Sequence, residues 1–171
     1  QRQMCIRDSY QIVEVNGGKG GVTYDTSTLK ATAEVVDNGD GTLGVTWKAD
    51  GELAFANTYR AQETSVTLGA SKKLTGRDLA KGEFSFKLDD DNGDFESVET
   101  NNATGQVVFD KVTFQKPGTY HFTISEVAGD AEGVTYDKAT YGVTVTVTDN
   151  LEGHLEAEVS YDDGATPVFK N

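Results

Sequence analysis

Three reactive side chains sit where strand alternation should leave only apolar ones. Along Val66 to Leu74, Lys72 shares a face with Val66, Leu68, Ala70 and Leu74, whereas Lys73 falls with Thr67, Ser71 and Thr75 on the polar face, because successive side chains of a strand point to opposite sides. Along Tyr120 to Val127, Glu126 has the parity of Tyr120, Phe122 and Ile124. In the last strand Asn171 shares a face with Phe169. An amine, a carboxyl and a carboxamide turned toward one core cannot stay unpartnered, since burial of a lone charge is strongly unfavourable. Three outcomes are open: a buried Lys72–Glu126 ion pair with Asn171 as hydrogen-bond partner, neutralisation of both charges, or a reaction among the groups.

The elements that position these residues occur twice. Gly21-Val22-Thr23-Tyr24-Asp25 returns unchanged as Gly133-Val134-Thr135-Tyr136-Asp137, an offset of 112 that also carries Ile12-Val13-Glu14-Val15 onto Ile124-Ser125-Glu126-Val127 and Thr28–Asp37 onto Thr140–Asp149. Phe55-Ala56-Asn57 matches Phe169-Lys170-Asn171 at an offset of 114, with two residues gained around the Asp163-Gly164 turn. Glu14 and Asn57 are thus the first-repeat counterparts of Glu126 and Asn171. Such a period is too long for a solenoid unit and suits an independently folding β-sandwich in tandem. The reading is a first copy truncated at its N-terminus over residues 10–59, and a complete second copy over residues 60–171. The short polar link Arg60–Glu63 would let the two stack with little freedom. Residues 1–9 fit no strand pattern and are set aside as a sequence artefact or a disordered end.

Composition supports an all-β chain. Nineteen glycines, and turn pairs such as Asn16-Gly17, Asp40-Gly41, Asn92-Gly93 and Asp163-Gly164, punctuate short Thr- and Val-rich runs. A net charge of -13 repels polyanions, which excludes nucleic acid as a partner. No apolar run is long enough to insert into a membrane. A single cysteine, Cys5, allows no internal disulfide. His121 faces the polar side of its strand and His154 lies near a turn, so neither builds a catalytic triad. Asp89 to Asp94 lacks the glycine and terminal glutamate of a calcium loop and reads as an acidic hairpin tip. Gly17 to Gly21 lacks P-loop spacing. No metal or cofactor is expected, and Trp47 reads as a core or edge residue.

The residues also carry a family resemblance. Ala70-Ser71-Lys72-Lys73-Leu74-Thr75-Gly76-Arg77-Asp78-Leu79, Gly82-Glu83-Phe84-Ser85-Phe86-Lys87-Leu88, Gly118 to Val127, Gly133 to Asp137 and the terminal Phe169-Lys170-Asn171 resemble the streptococcal pilin isopeptide-linkage domains. The resemblance implies tandem immunoglobulin-like (CnaB-like) sandwiches. In such domains a first-strand lysine, four residues before the Gly of the Thr-Gly-Arg element, bonds covalently to a last-strand asparagine with the help of a buried acid. Carried over, these are Lys72, Asn171 and Glu126. Desolvation disfavours charge on both Lys72 and Glu126, so a neutral amine can act as nucleophile while the acid polarises the Asn171 amide. Asn171 closes the sequence whereas Asn57 continues into Thr58-Tyr59, which predicts a frayed final strand in the second copy.

What the resemblance implies is a structural role rather than turnover: a stalk or shaft module of a Gram-positive adhesin or pilus, extracellular and anchored outside this segment. Its partners would be neighbouring repeats, other pilus subunits or host matrix. The absence of a separate Tyr-Pro-Lys element favours a repeat-built stalk. The alternatives are a module that binds host matrix or glycan directly, and a spacer of a secreted glycan-degrading enzyme.

Overall fold

The computed structural model describes residues 6–171 and divides into two compact units, Gln1–Arg60 and Ala61–Asn171. All regular structure among the described residues is β. Residues 1–5 of the segment expected to be an artefact or disordered lie outside the described residues, whereas Ile6–Ser9 form the first half of the strand Ile6–Val13, paired with Thr32–Val35.

Unit 1 contains β1 (Ile6–Val13), β2 (Val22–Thr23), β3 (Thr28–Asp37), β4 (Leu43–Ala49) and β5 (Thr58–Tyr59). An antiparallel sheet runs in the order β1-β3-β4, and β2 pairs antiparallel with β5. So small a set of strands buries little: Ala31 and Ala33 are its buried apolar residues, while Tyr10, Ile12 and Val45 are exposed. Of the two readings for Trp47, core or edge, the structure shows the edge, since β4 is the outer strand of the β1-β3-β4 sheet. Trp47 is 63% exposed and rests against Tyr10, ring centroids 5.5 Å apart. Tyr10 is itself 46% exposed, so the aromatic pair lies at the surface.

Unit 2 contains β6 (Thr64–Lys73), β7 (Ser85–Asp90), β8 (Glu96–Thr100), β9 (Gln106–Phe114), β10 (Gly118–Glu126), β11 (Thr140–Asp149), β12 (Leu155–Tyr161) and β13 (Val168–Lys170). They form a five-stranded sheet, β12-β11-β10-β7-β8, and a three-stranded sheet, β13-β6-β9. This is an immunoglobulin-like sandwich: Leu68, Ala70 and Phe109 of the smaller sheet join Leu88, Ile124 and Val145 of the larger one in a single apolar core. By the repeat offset, β10, β11 and β12 are the counterparts of β1, β3 and β4.

Alternation is obeyed with one interruption. Between Thr67 and Gly69 of β6, the register on β9 passes from Lys111 to Val108, which gives β9 one extra residue. Asp110 and Lys111 are consequently both exposed, and Val112 and Phe114 return to the core. A β-bulge of this kind restores the inward face after one unpaired residue.

The topology that matters for function is the pairing of the unit's first and last strands. β13 runs parallel to β6, with Phe169 opposite Lys72 and Lys170 opposite Lys73. Phe169 is fully buried between Phe86 and Tyr141, at centroid distances of 5.2 and 5.0 Å. Burying such a ring contributes about 1.5–3 kcal/mol, enough to hold a three-residue strand in place. None of the described residues forms a helix that could cross a membrane.

Candidate functional site

Lys72, Glu126 and Asn171 meet inside the sandwich of unit 2. Lys72 ends the inward row of β6, and the burial of alternate residues there leaves Lys73 exposed, as parity requires. Its backbone is fixed by Gly105, whose carbonyl accepts the Lys72 N–H at 2.6 Å. Gly105 has φ = 84°, and a Cβ at that position would collide with the Lys72 carbonyl oxygen. Only glycine combines that backbone conformation with so close an approach.

The Lys72 side chain enters an aromatic slot, with Nζ 4.4 Å from the Phe84 ring centroid and 5.9 Å from that of Phe86. Both rings lie within the range of cation–π attraction. At its tip, Nζ lies 2.6 Å from Glu126 Oε1, and both side chains are completely shielded from solvent. Glu126 is the last residue of β10, opposite Phe86 of β7. The carboxyl therefore projects from one sheet toward the amine of the other.

Asn171 completes the cluster. Its Nδ2 donates to the same Glu126 Oε1 at 3.0 Å. The predicted fraying does not occur: the Asn171 N–H donates to the Lys73 carbonyl at 3.1 Å, and its own carbonyl accepts the Thr75 N–H at 2.8 Å. Backbone bonds to β6 and the residues just beyond it, together with the anchored Phe169 ring, hold the chain end. Among the described residues no buried side-chain nitrogen or oxygen lacks a hydrogen-bond partner.

A fourth residue, Asp137, was not legible as part of the site, although it ends the repeated pentapeptide. Its backbone N–H donates to Glu126 Oε2 and to Asn171 Oδ1, each at 2.9 Å. Its carboxylate accepts the Lys170 N–H and the Ala139 N–H, each at 2.9 Å. The Lys170 N–H holds the Asp137 carboxyl below the usual range, helped by the Ala139 N–H and the nearby charges of Lys72 and Lys170, against a smaller opposing effect of burial. The unchanged return of Gly133 to Asp137 was the available signal, but alternation speaks only of side chains and could not reveal a backbone donor.

Unit 1 repeats the arrangement without the lysine. Asn57 Nδ2 donates to Glu14 Oε1 at 2.6 Å, and the Asp25 N–H donates to Glu14 Oε2 at 3.2 Å and to Asn57 Oδ1 at 2.8 Å. The Asp25 carboxylate accepts the Ala56 and Ser27 N–H groups, which lower its pKa. The offset pairing of Glu14 with Glu126 and of Asn57 with Asn171 is therefore a pairing of geometry as well.

The weaker sequence signals fall elsewhere. His121 is exposed and its Nδ1 lies 3.2 Å from Thr144 Oγ1. Asp89 to Asp94 forms the β7–β8 hairpin, closed by Asp90 accepting the Phe95 N–H.

Fold and site together define a class, the immunoglobulin-like sandwich with a lysine, an acid and an asparagine clustered inside it. The chain belongs to the family of the Spy0128-like isopeptide containing domain (FctA), whose model matches residues 7–60 and 68–171. A pilin of Streptococcus pyogenes serotype M1 is 37% identical over 78 residues, a match that covers 42% of this chain and 23% of that protein.

Proposed function

We propose that unit 2 closes an intramolecular isopeptide bond between Lys72 and Asn171, with Glu126 as proton relay, and that the chain is a load-bearing module of a Gram-positive pilus or surface stalk. One observation carries the chemistry: Glu126 Oε1 contacts both the Lys72 amine, at 2.6 Å, and the Asn171 amide nitrogen, at 3.0 Å. A single oxygen thus faces the nucleophile and the leaving group.

The step begins with one proton passing from Nζ to Oε1, 2.6 Å away. The neutral amine attacks Asn171 Cγ, and the new Nζ–Cγ bond gives a tetrahedral intermediate. Glu126 passes its proton to Nδ2 and takes one from Nζ, the Cγ–Nδ2 bond breaks, and ammonia leaves. The charges and protons balance: an ion pair and a carboxamide become a secondary amide, ammonia and a protonated Glu126. Holding both partners on one carboxyl oxygen supplies proximity, worth about 7–11 kcal/mol in well-oriented systems. The event happens once per molecule and leaves the product in the fold.

The family's isopeptide chemistry and the similarity to a streptococcal pilin support a shaft role at the cell surface. Mechanics supports it too. β6 and β13 are adjacent and parallel, so a Lys72–Asn171 bond would carry tension between the ends of the unit without unzipping its sheets.

Intact-mass spectrometry of the whole chain tests the proposal. Wild type should be lighter than its sequence mass by one ammonia, and Lys72→Ala and Glu126→Ala should both keep full mass. Wild type at full mass would leave a permanent buried ion pair as the answer.

A further inference from the structure

We infer that the backbone N–H of Asp137 is the oxyanion donor of the cross-linking step, and that the Asp137 carboxylate is the clamp that aims it. The inference rests on the proposed reaction between Lys72 and Asn171 and assigns the group that stabilises its intermediate.

A backbone N–H can only donate. Its contact with Asn171 therefore requires the carboxamide oxygen, not the nitrogen, to face Asp137, and Nδ2 is thereby turned to Glu126. Which end of the amide becomes the leaving group is decided by the backbone. As Nζ bonds to Cγ, the carbonyl electron pair moves onto Oδ1, which already lies 2.9 Å from the Asp137 nitrogen. That is a hydrogen bond already made in the unreacted carboxamide, so the donor is in place before the oxygen gains its charge. When the Cγ–Nδ2 bond breaks, the pair returns from Oδ1 to re-form the carbonyl, so the N–H lends its proton throughout and transfers nothing.

The same N–H also reaches Glu126 Oε2 at 2.9 Å, so acid and acceptor are registered against one atom. The Asp137 carboxylate touches neither reacting group. Its two oxygens hold the N–H groups of Ala139 and of Lys170, the residue immediately before Asn171, which ties the donor's loop to the acceptor's strand. Asp137 thus contributes a catalytic N–H and a positioning carboxylate.

Unit 1 shows that the arrangement does not depend on the amine. The Asp25 N–H spans Glu14 and Asn57 in the same way, and the Asp25 carboxylate holds Ala56 and Ser27, with no lysine partner for Glu14 among the described residues. The donor is set before a nucleophile arrives, which is what preorganisation requires.

The decisive experiment replaces one atom. Whole chains assembled by ligation, with either the native Tyr136–Asp137 amide or an ester made with the α-hydroxy analogue of aspartate, are refolded and followed by intact mass. The ester keeps the side chain and lacks the donor. At an unchanged circular dichroism spectrum, its first-order loss of ammonia should be about a hundredfold slower than that of the native amide. Asp137→Ala should also be slowed, by roughly tenfold, and Asp137→Asn, which keeps one acceptor oxygen, should recover part of the rate. A second readout needs no reaction: in Lys72→Ala the Asp137 amide proton should be protected from hydrogen exchange. Equal rates for ester and amide, or an unprotected Asp137 amide in folded Lys72→Ala, would overturn this inference alone. A native-amide chain that keeps full mass would remove the cross-link and the oxyanion role together.

Discussion

Phe169 lies directly opposite Lys72 across the parallel pair β13 and β6, and the next inward residue of β13's chain, Asn171, reaches the same Glu126 oxygen as the lysine amine. The ring is 0% exposed and the amine sits beside a carboxyl with no exposed surface of its own. An apolar anchor thus sets the position of a polar acceptor two residues away.

Truncating that anchor should separate folding from chemistry. Phe169→Ala should cost about 3–5 kcal/mol, the usual range for emptying a buried aromatic site, and should release Asn171 from Glu126. Mass spectrometry on the folded fraction should then find the uncrosslinked chain, with β13 amides exchanging freely.

Glu126→Gln keeps the size and hydrogen-bonding capacity of the side chain but has no carboxyl to relay a proton. The variant should fold and remain at full mass. Its unfolding free energy should fall by about 4–5 kcal/mol for the loss of a cross-link closing a loop of roughly 100 residues, with a further loss from the unpaired Lys72 charge. Chemical denaturation beside wild type measures both together.

Gly105→Ala places a methyl group against the Lys72 carbonyl oxygen at φ = 84°. Left-handed backbone for a residue with a side chain costs roughly 1–3 kcal/mol, and relief requires β6 to shift at Lys72. Slower ammonia loss together with a lowered melting temperature is the expected result. A melting temperature that falls with no change in rate would show that the lysine's placement tolerates the shift.

The acid limb of stability should carry the signature of Asp137. Its carboxyl is held below the ordinary aspartate range chiefly by the Lys170 N–H, so the folded state binds that proton less readily than the unfolded chain. Its stabilisation is therefore fully present above the unfolded aspartate value of about 3.9 and is lost as pH falls through the lower, folded one. Asp137→Asn should flatten that part of the stability curve measured between neutral and strongly acidic pH, whereas an unchanged limb would contradict the clamp.

Lys72, Glu126 and Asn171 were readable in the sequence because each breaks a period-two pattern, and a polar residue on an apolar face is informative even where its partner is unknown. Duplication of the pattern tied Glu14 to Glu126 and Asn57 to Asn171, and alternation separated Lys72 from Lys73. These are local properties, fixed by the geometry of a single strand. What only the tertiary structure decided is adjacency: that β13 pairs in parallel with β6, that one carboxyl oxygen faces both nitrogens, and that Asn171 is held at a chain end expected to fray. Trp47 shows the same limit from the other side, since its type allowed core or edge and only the sheet order placed it at the edge. Asp137 shows it most sharply. Its carboxylate depends on residue type, but its donor is a backbone N–H that every residue but proline possesses, and only the path of the chain brings that donor to Asn171.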